Sequence, residues 1–204
     1  MLIRQFQRGS LTSTNTTGFS SGSREMGKRS NFERRPRDFY PTPYAAVLPL
    51  LPHLHAVKRY EEPCAGDGAL ISHLSKHGKI CARASDIEPQ SATIKTGDAT
   101  TQLSCNGDCF NSNPPWQRPV LHKIIERLSD IAPTWLLFDA DWMHTQQSAV
   151  LIERCRKIVS VGRLRWIPDS KMTGKDSCAW YLFDPSCLRP TQFVGRRAPT
   201  GTAL

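Results

Sequence analysis

Two short stretches of this 204-residue chain carry residue types that can do chemistry together. Asn113-Pro114-Pro115-Trp116 sets an amide, two prolines and an indole in a row. The prolines stiffen the backbone and end any strand ladder before them. The amide oxygen of Asn113 and the carbonyl of Pro114 can then both accept from one –NH2 group. Two acceptors on one amine favour a more tetrahedral nitrogen with its lone pair aimed at an electrophile, which is preorganisation around a weak nucleophile. The proton can leave after attack, so no strong base is needed first. Trp116 offers a face on which a planar ring can stack. The plain alternative is a proline-rich loop with a core tryptophan.

The second stretch, Glu62-Pro63-Cys64-Ala65-Gly66-Asp67-Gly68, ends 44 residues before Asn113. Gly66 and Gly68 let the backbone pass close to a ligand, and a helix start beyond them supplies oriented N–H groups. Neither the dinucleotide fingerprint nor a Walker phosphate loop is present. Glu62 disfavours a triphosphate and suits a cationic amino-acid moiety. Asp86 lies where an acid after a second strand accepts ribose hydroxyls; its other reading is a cap or surface acid. Asp98 can accept from a ring amino group, although Gly97-Asp98 is also turn chemistry.

The elements that must position these residues alternate between two periods. Arg59 to Glu62, Ile80 to Ser85, Thr93 to Thr96, Asp108 to Ser112 and Trp135 to Phe138 read as strands. Ile158 to Val161 and Cys178 to Phe183 read as an antiparallel pair. Thr42 before Pro43 predicts a capped helix through Leu48. Ala69 to His77, Val120 to Ile131 and Ser148 to Arg154 read as helices, the second with apolar residues at 120, 121, 124, 125, 128 and 131. The pattern predicts an α/β fold: a doubly wound, mostly parallel, seven-stranded Rossmann-like sheet with a C-terminal antiparallel hairpin. Glu62, Asp86, Asp98, Asn113 and Asp139 all fall at carboxyl ends of strands, where open α/β sheets bind ligands.

The net charge of +9 is unevenly placed. Residues 1–37 hold eight Lys/Arg and two Glu, and residues 188–204 hold three Arg and no acid, so the remainder is neutral. Thirteen of the fifteen residues from Gly9 to Ser23 are Gly, Ser, Thr or Asn, too polar to offset ordering entropy. The organisation expected is a disordered basic arm (1–36), one catalytic domain (37–187) and a flexible basic tail (188–204). Basic arms gain affinity for polyphosphate by counterion release, or serve as solubility tails. Apolar runs such as Ala45 to Leu51 are too short to cross a bilayer. The seven cysteines are odd in number, and Cys105 and Cys109 lack partners at zinc-finger spacing, so reduced thiols, no metal and a cytoplasmic setting are expected.

In order and kind, these motifs resemble the class I S-adenosylmethionine-dependent methyltransferases, and within them the amino-methylating DNA adenine group with its Asn/Asp-Pro-Pro-aromatic signature in the gamma order. Phe39 to Pro43 resembles the N-terminal cofactor motif, Glu62 to Gly68 motif I, Asp86 motif II, Asp98 motif III, and Asn113 to Trp116 motif IV. The resemblance spans residues 37–185. It implies an S-adenosylmethionine site lined by Phe39, Thr42, Pro43, Glu62, Cys64, Ala65, Gly66, Gly68, Asp86, Ile87, Asp98 and Ala99. It also implies that Asn113, Pro114, Pro115 and Trp116 hold the target base.

The expected activity is methylation of N6 of adenine in DNA. The same clamp also serves RNA bases and the glutamine amide of proteins, and a non-catalytic nucleic-acid-binding protein on this scaffold is a third reading. Little chain follows Phe183, so no recognition domain is expected there. Sequence readout is then absent, supplied by loops or provided by a separate specificity partner, and small phage-borne members of the family look like this. Trp142 beyond the fifth strand, together with Arg163, Arg165, Lys171 and Lys175, are candidate nucleic-acid contacts.

Overall fold

The computed structural model describes residues 39–167 and 173–196. The arm expected over 1–36 and residues 197–204 of the expected tail lie outside these. Eight strands form one sheet: β1 (Arg59–Glu62), β2 (Ile80–Asp86), β3 (Lys95–Thr96), β4 (Cys109–Ser112), β5 (Thr134–Asp139), β6 (Cys155–Arg163), β7 (Ser177–Phe183) and β8 (Gln192–Val194). Their order is β3-β2-β1-β4-β5-β7-β6-β8. The first five pair in parallel, and β7 runs antiparallel between β5 and β6. The sequence predicts seven strands, and the sheet has one more. β8 falls in the segment expected to be a flexible tail, where Gln192 to Val194 pair in parallel with Lys157 to Val159. Three residues are too few for a period-2 pattern to register.

The four α-helices among the described residues are α1 (Tyr44–Val47), α2 (Ala69–Ser75), α3 (Arg118–Ser129) and α4 (Ala149–Ile152). α3 starts with Pro119 in its first turn, where a missing N–H costs nothing, and buries Leu121, Ile124, Ile125 and Leu128. α1 is shorter than expected. Pro43 occupies its cap position in an extended conformation (ψ 145°), which leaves Thr42 one residue too early to cap. Thr42 is instead buried, with its carbonyl accepting from His73 Nε2 (3.1 Å).

Each face of the sheet has its own core. On one, Ala46, Leu50, Leu70 and Leu74 of the α1–α2 layer pack on Tyr60, Cys109, Trp135 and Trp180. On the other, α3 and α4 pack on Phe110, Leu136, Phe138, Tyr181 and Phe183. Trp180 Nε1 donates to the Ala46 carbonyl (2.7 Å) and ties α1 to the sheet. The chain leaves β1 toward β2 and β3, then returns to place β4 on the other side of β1. That reversal opens a crevice between the carboxyl ends of β1 and β4.

Candidate active site

The crevice is a cavity of about 440 Å³. Its floor is the loop leaving β1, which is fastened to both neighbouring strands. Cys64 N donates to Ser112 Oγ (3.2 Å), Ala65 N to the Ser85 carbonyl (3.0 Å), and Gly66 N to Asp86 Oδ2 (2.8 Å). Gly66 has φ +53°, and a Cβ there would lie 2.7 Å from the Phe39 ring, so only glycine admits the packing. Phe39 belongs to a strap, residues 39–43, that walls one side. The strap is held by the His73–Thr42 bond and by Asn113 Nδ2 donating to the Tyr40 carbonyl (3.3 Å).

The carboxylates of the site differ in their commitments. Each oxygen of Asp86 accepts one backbone N–H, from Gly66 and from Glu88 (both 2.8 Å), so each keeps a lone pair for a ligand. Asp98 uses Oδ1 to cap Thr100 (2.8 Å), and Oδ2 has no partner among the described residues. Glu62 lines the cavity at 2% exposure, and its Oε2 is enclosed without a partner. That leaves Oε1 as the oxygen turned to the cavity. Burial first, then the nearby Asp67 and Asp86, push the Glu62 carboxyl well above the ordinary carboxylate range. A cationic ligand group would relieve that penalty. Burial likewise pushes the Cys64 thiol up, so it is not a nucleophile here. Asn113 spends its Nδ2 on the strap, which leaves Oδ1 to accept.

Comparison with known protein families and with curated protein sequences gives no match. Solved structures do match. A candidate class I S-adenosylmethionine-dependent methyltransferase from Listeria monocytogenes aligns with a TM-score of 0.52 at 11% identity, over 79% of this chain and 66% of that one. The fold is the class I methyltransferase fold. A candidate RNA methyltransferase from Pyrococcus horikoshii aligns at TM-score 0.47 and 16% identity, over 71% of this chain and 85% of that one. A dimethyladenosine transferase from Plasmodium falciparum aligns at 0.47 and 13%, over 72% and 62%. The chain thus spans 66% and 62% of the length of the Listeria and Plasmodium proteins.

The methyltransferase fold brings most of the expected residues to one place. Phe39, Thr42, Glu62, Cys64, Ala65, Gly66, Asp86, Ile87, Asp98, Ala99, Asn113 and Pro115 line the cavity. Pro43 and Gly68, also expected to line it, do not; they are the residues that precede α1 and α2. Pro114 is buried between the lining residues Asn113 and Pro115 and is not itself among those that line the cavity. Trp116 is half-buried, edge-on to Trp166 (centroids 5.6 Å), which also meets Tyr40 edge-on (6.2 Å). Trp142 needs correction. It is fully buried, donates to His122 Nε2 (3.1 Å) and packs against Phe138 and Tyr181, so no base can stack on it. Arg163, Arg165 and Lys175 are exposed, and Lys171 lies outside the described residues.

Sequence reasoning missed Tyr40, Gln90, Gln117, Val120 and Ile124 as cavity residues, and Trp166 as an aromatic neighbour. Val120 and Ile124 carry a signal, since they begin the apolar stripe of α3 directly after the Asn-Pro-Pro-Trp turn. Trp166 carries none, because it reaches Trp116 across the β6–β7 connection.

Proposed function

We propose that this protein transfers a methyl group from S-adenosylmethionine to the exocyclic N6 amino group of adenine in DNA. The observation that carries the reading is the juxtaposition of Glu62 and Asn113 on one cavity. One is a buried acid that lacks a cation, and the other an amide whose only uncommitted atom is an acceptor. The residues fit the cofactor. Glu62 Oε1 suits the ammonium of its amino-acid part, and the free lone pairs of Asp86 suit ribose hydroxyls. Asp98 Oδ2 suits a ring amino group, with Ile87, Ala99, Val120 and Ile124 as apolar walls. The bound cofactor supplies an electrophilic methyl group on a sulfonium.

Asn113 Oδ1 and the Pro114 carbonyl hold the incoming –NH2 by its two hydrogens and aim its lone pair. Because the strap fixes the amide through Nδ2, the acceptor is set before substrate arrives. Trp116 supports the ring. A base in duplex DNA must leave the stack to reach such a site. The exposure of Arg163, Arg165 and Lys175 supports a role in meeting phosphate, and the charged terminal segments add sequence-independent affinity.

The test is labelled S-adenosylmethionine offered with DNA, RNA or protein. Label in DNA at N6 of adenine is expected; label only in RNA or protein removes the DNA reading. Asn113→Ala is expected to lower turnover roughly 10²- to 10³-fold, while cofactor affinity stays within a few-fold. Undiminished turnover in that variant removes the mechanism.

A further inference from the structure

Asn111 is a polar residue inside the sheet that the proposed reaction does not use. It sits in β4 two residues before Asn113, at 0% exposure, and neither its Nδ2 nor its Oδ1 has a partner among the described residues. A wholly unpaired buried amide is costly, and a leucine would fill the same space without that cost.

The strand register shows what the amide is next to. β1 and β4 run parallel, with Tyr60 opposite Cys109 and Glu61 opposite Phe110. The next pair along is Glu62 with Asn111. Opposite residues on neighbouring strands share a face, with the strands about 4.8 Å apart. Glu62 Oε2 is the enclosed, unpartnered oxygen of that carboxyl. Continued one residue, the register thus sets an amide donor without an acceptor one strand away from, and on the same face as, a carboxylate oxygen without a donor, behind the cavity residue Glu62.

We propose that Asn111 is a positioning residue for Glu62: Asn111 Nδ2–H donates to Oε2 of the ionised carboxylate and turns Oε1 to the cofactor's ammonium. This rests on the reading that the cavity takes S-adenosylmethionine. Without ligand, burial and two nearby acids favour the protonated form of Glu62. When the ammonium enters, that proton leaves to water, and the remaining charge has the ligand on Oε1 and Asn111 on Oε2. The groups facing Glu62 among the described residues include no cation, so the donors open to its Oε2 are neutral, Asn111 Nδ2 on β4 and the enclosed Tyr60 hydroxyl on β1. Asp67 in the following loop and Asp86 on β2 are acids, and Tyr60, Cys64 and Cys81 hold their protons more tightly than usual, burial being the main cause. On α2, His73 gives Nε2–H to Thr42, and burial pushes its ionisation down.

The experiment follows Glu62 by carboxyl-carbon NMR of glutamate-labelled, ligand-free protein, with Glu62→Gln to assign its resonance. Asn111→Leu removes the unpaired amide, so it should fold as well as the wild type. Its Glu62 midpoint is expected to move up by about one pH unit or more. Affinity for S-adenosylmethionine at neutral pH should fall roughly tenfold, and the deficit should close once pH passes the raised midpoint. Tyr60→Phe, which removes the other enclosed hydroxyl of β1, should leave the midpoint in place. An unmoved midpoint in Asn111→Leu overturns the proposal, as does an affinity loss equal at every pH, or a shift in Tyr60→Phe alone. If the wild type binds no S-adenosylmethionine, the cofactor reading fails, and the ligand-free titration still decides the role of Asn111.

Discussion

Glu61 and Glu62 are consecutive residues of β1, exposed by 1% and 2% respectively, and they face opposite sides of the sheet. Glu61 is saturated. Its Oε2 accepts from Arg83 Nε (3.0 Å), Arg83 Nη2 (2.7 Å) and Gln102 Nε2 (3.1 Å), and its Oε1 from Asn106 N (2.7 Å). A register shift between β1 and β2 brings Arg83, rather than Ala82, opposite Glu61. Arg83 and Gln102 both also donate to the Ser104 carbonyl, so one carboxylate fastens the connection before β4 to the sheet. Glu62 has one enclosed oxygen without a partner and another on a cavity wall. The same side chain, at nearly the same burial, is a structural tie where the protein satisfies it and, in the function we propose, a ligand receptor where the protein leaves it short.

Removing the tie should show the largest effect. Glu61→Ala strands Arg83 and the Asn106 N–H, at a cost of about 3 kcal/mol of stability. The Arg83 side chain is 35% exposed and can rehydrate, which keeps the cost toward the lower end for a broken buried pair. Urea unfolding at neutral pH checks this, with a lower midpoint at unchanged slope. Cofactor affinity extrapolated to the folded fraction should stay within a few-fold. An equal loss of stability and affinity would erase the distinction between the two acids.

Glu62→Gln should do the reverse. Affinity for S-adenosylmethionine is expected to fall roughly thirtyfold or more by calorimetry, because the ammonium loses its counter-charge. Ligand-free stability should rise. The Glu62 pKa in the fold is raised, so its contribution is whole below the unfolded value of 4.5 and is lost as pH rises through the native value. The wild type should therefore weaken over that window while Glu62→Gln does not, so the gap between them should widen as pH rises through it. A gap that does not change with pH would mean that Glu62 is not held neutral in the free protein.

The two regions were unequally legible in the sequence. The receptor side announces itself locally. Gly66 and Gly68 mark a turn that needs positive φ, Glu62 precedes it, and Asn113-Pro114-Pro115 follows a strand. The tie does not, because its donors Arg83, Gln102 and Asn106 meet only through a register shift and a loop, neither of which leaves a period in the sequence. Trp142 misled for a related reason. Its position after β5 suggests the cavity, but its ring turns to the α3 face, where Phe138, Tyr181 and His122 receive it. β8 was too short to register, and nothing in the sequence singles out Asn111 within the strand Asp108 to Ser112. Alternation of strands and helices is a property of segments and survives such details, which is why the order of elements was readable where the side-chain partners were not.

The smallest effect tests whether the tie is redundant. Gln102→Ala removes one of four donors to Glu61 and leaves both bonds from Arg83 and the one from Asn106. The carboxylate stays charge-compensated and the Ser104 carbonyl keeps Arg83 as a donor, so the cost should be near that of one ordinary hydrogen bond, about 1 kcal/mol. Gln102 also presents its carbonyl to Arg127 Nε, a backbone contact that alanine keeps. The loss should therefore be near a third of that in Glu61→Ala. In the double variant it should disappear, since Gln102 then has no carboxylate to serve. A double-mutant cycle by urea unfolding measures this directly. Additive losses would mean that Gln102 acts through the Ser104 carbonyl and that the tie rests on Arg83 and the Asn106 N–H alone.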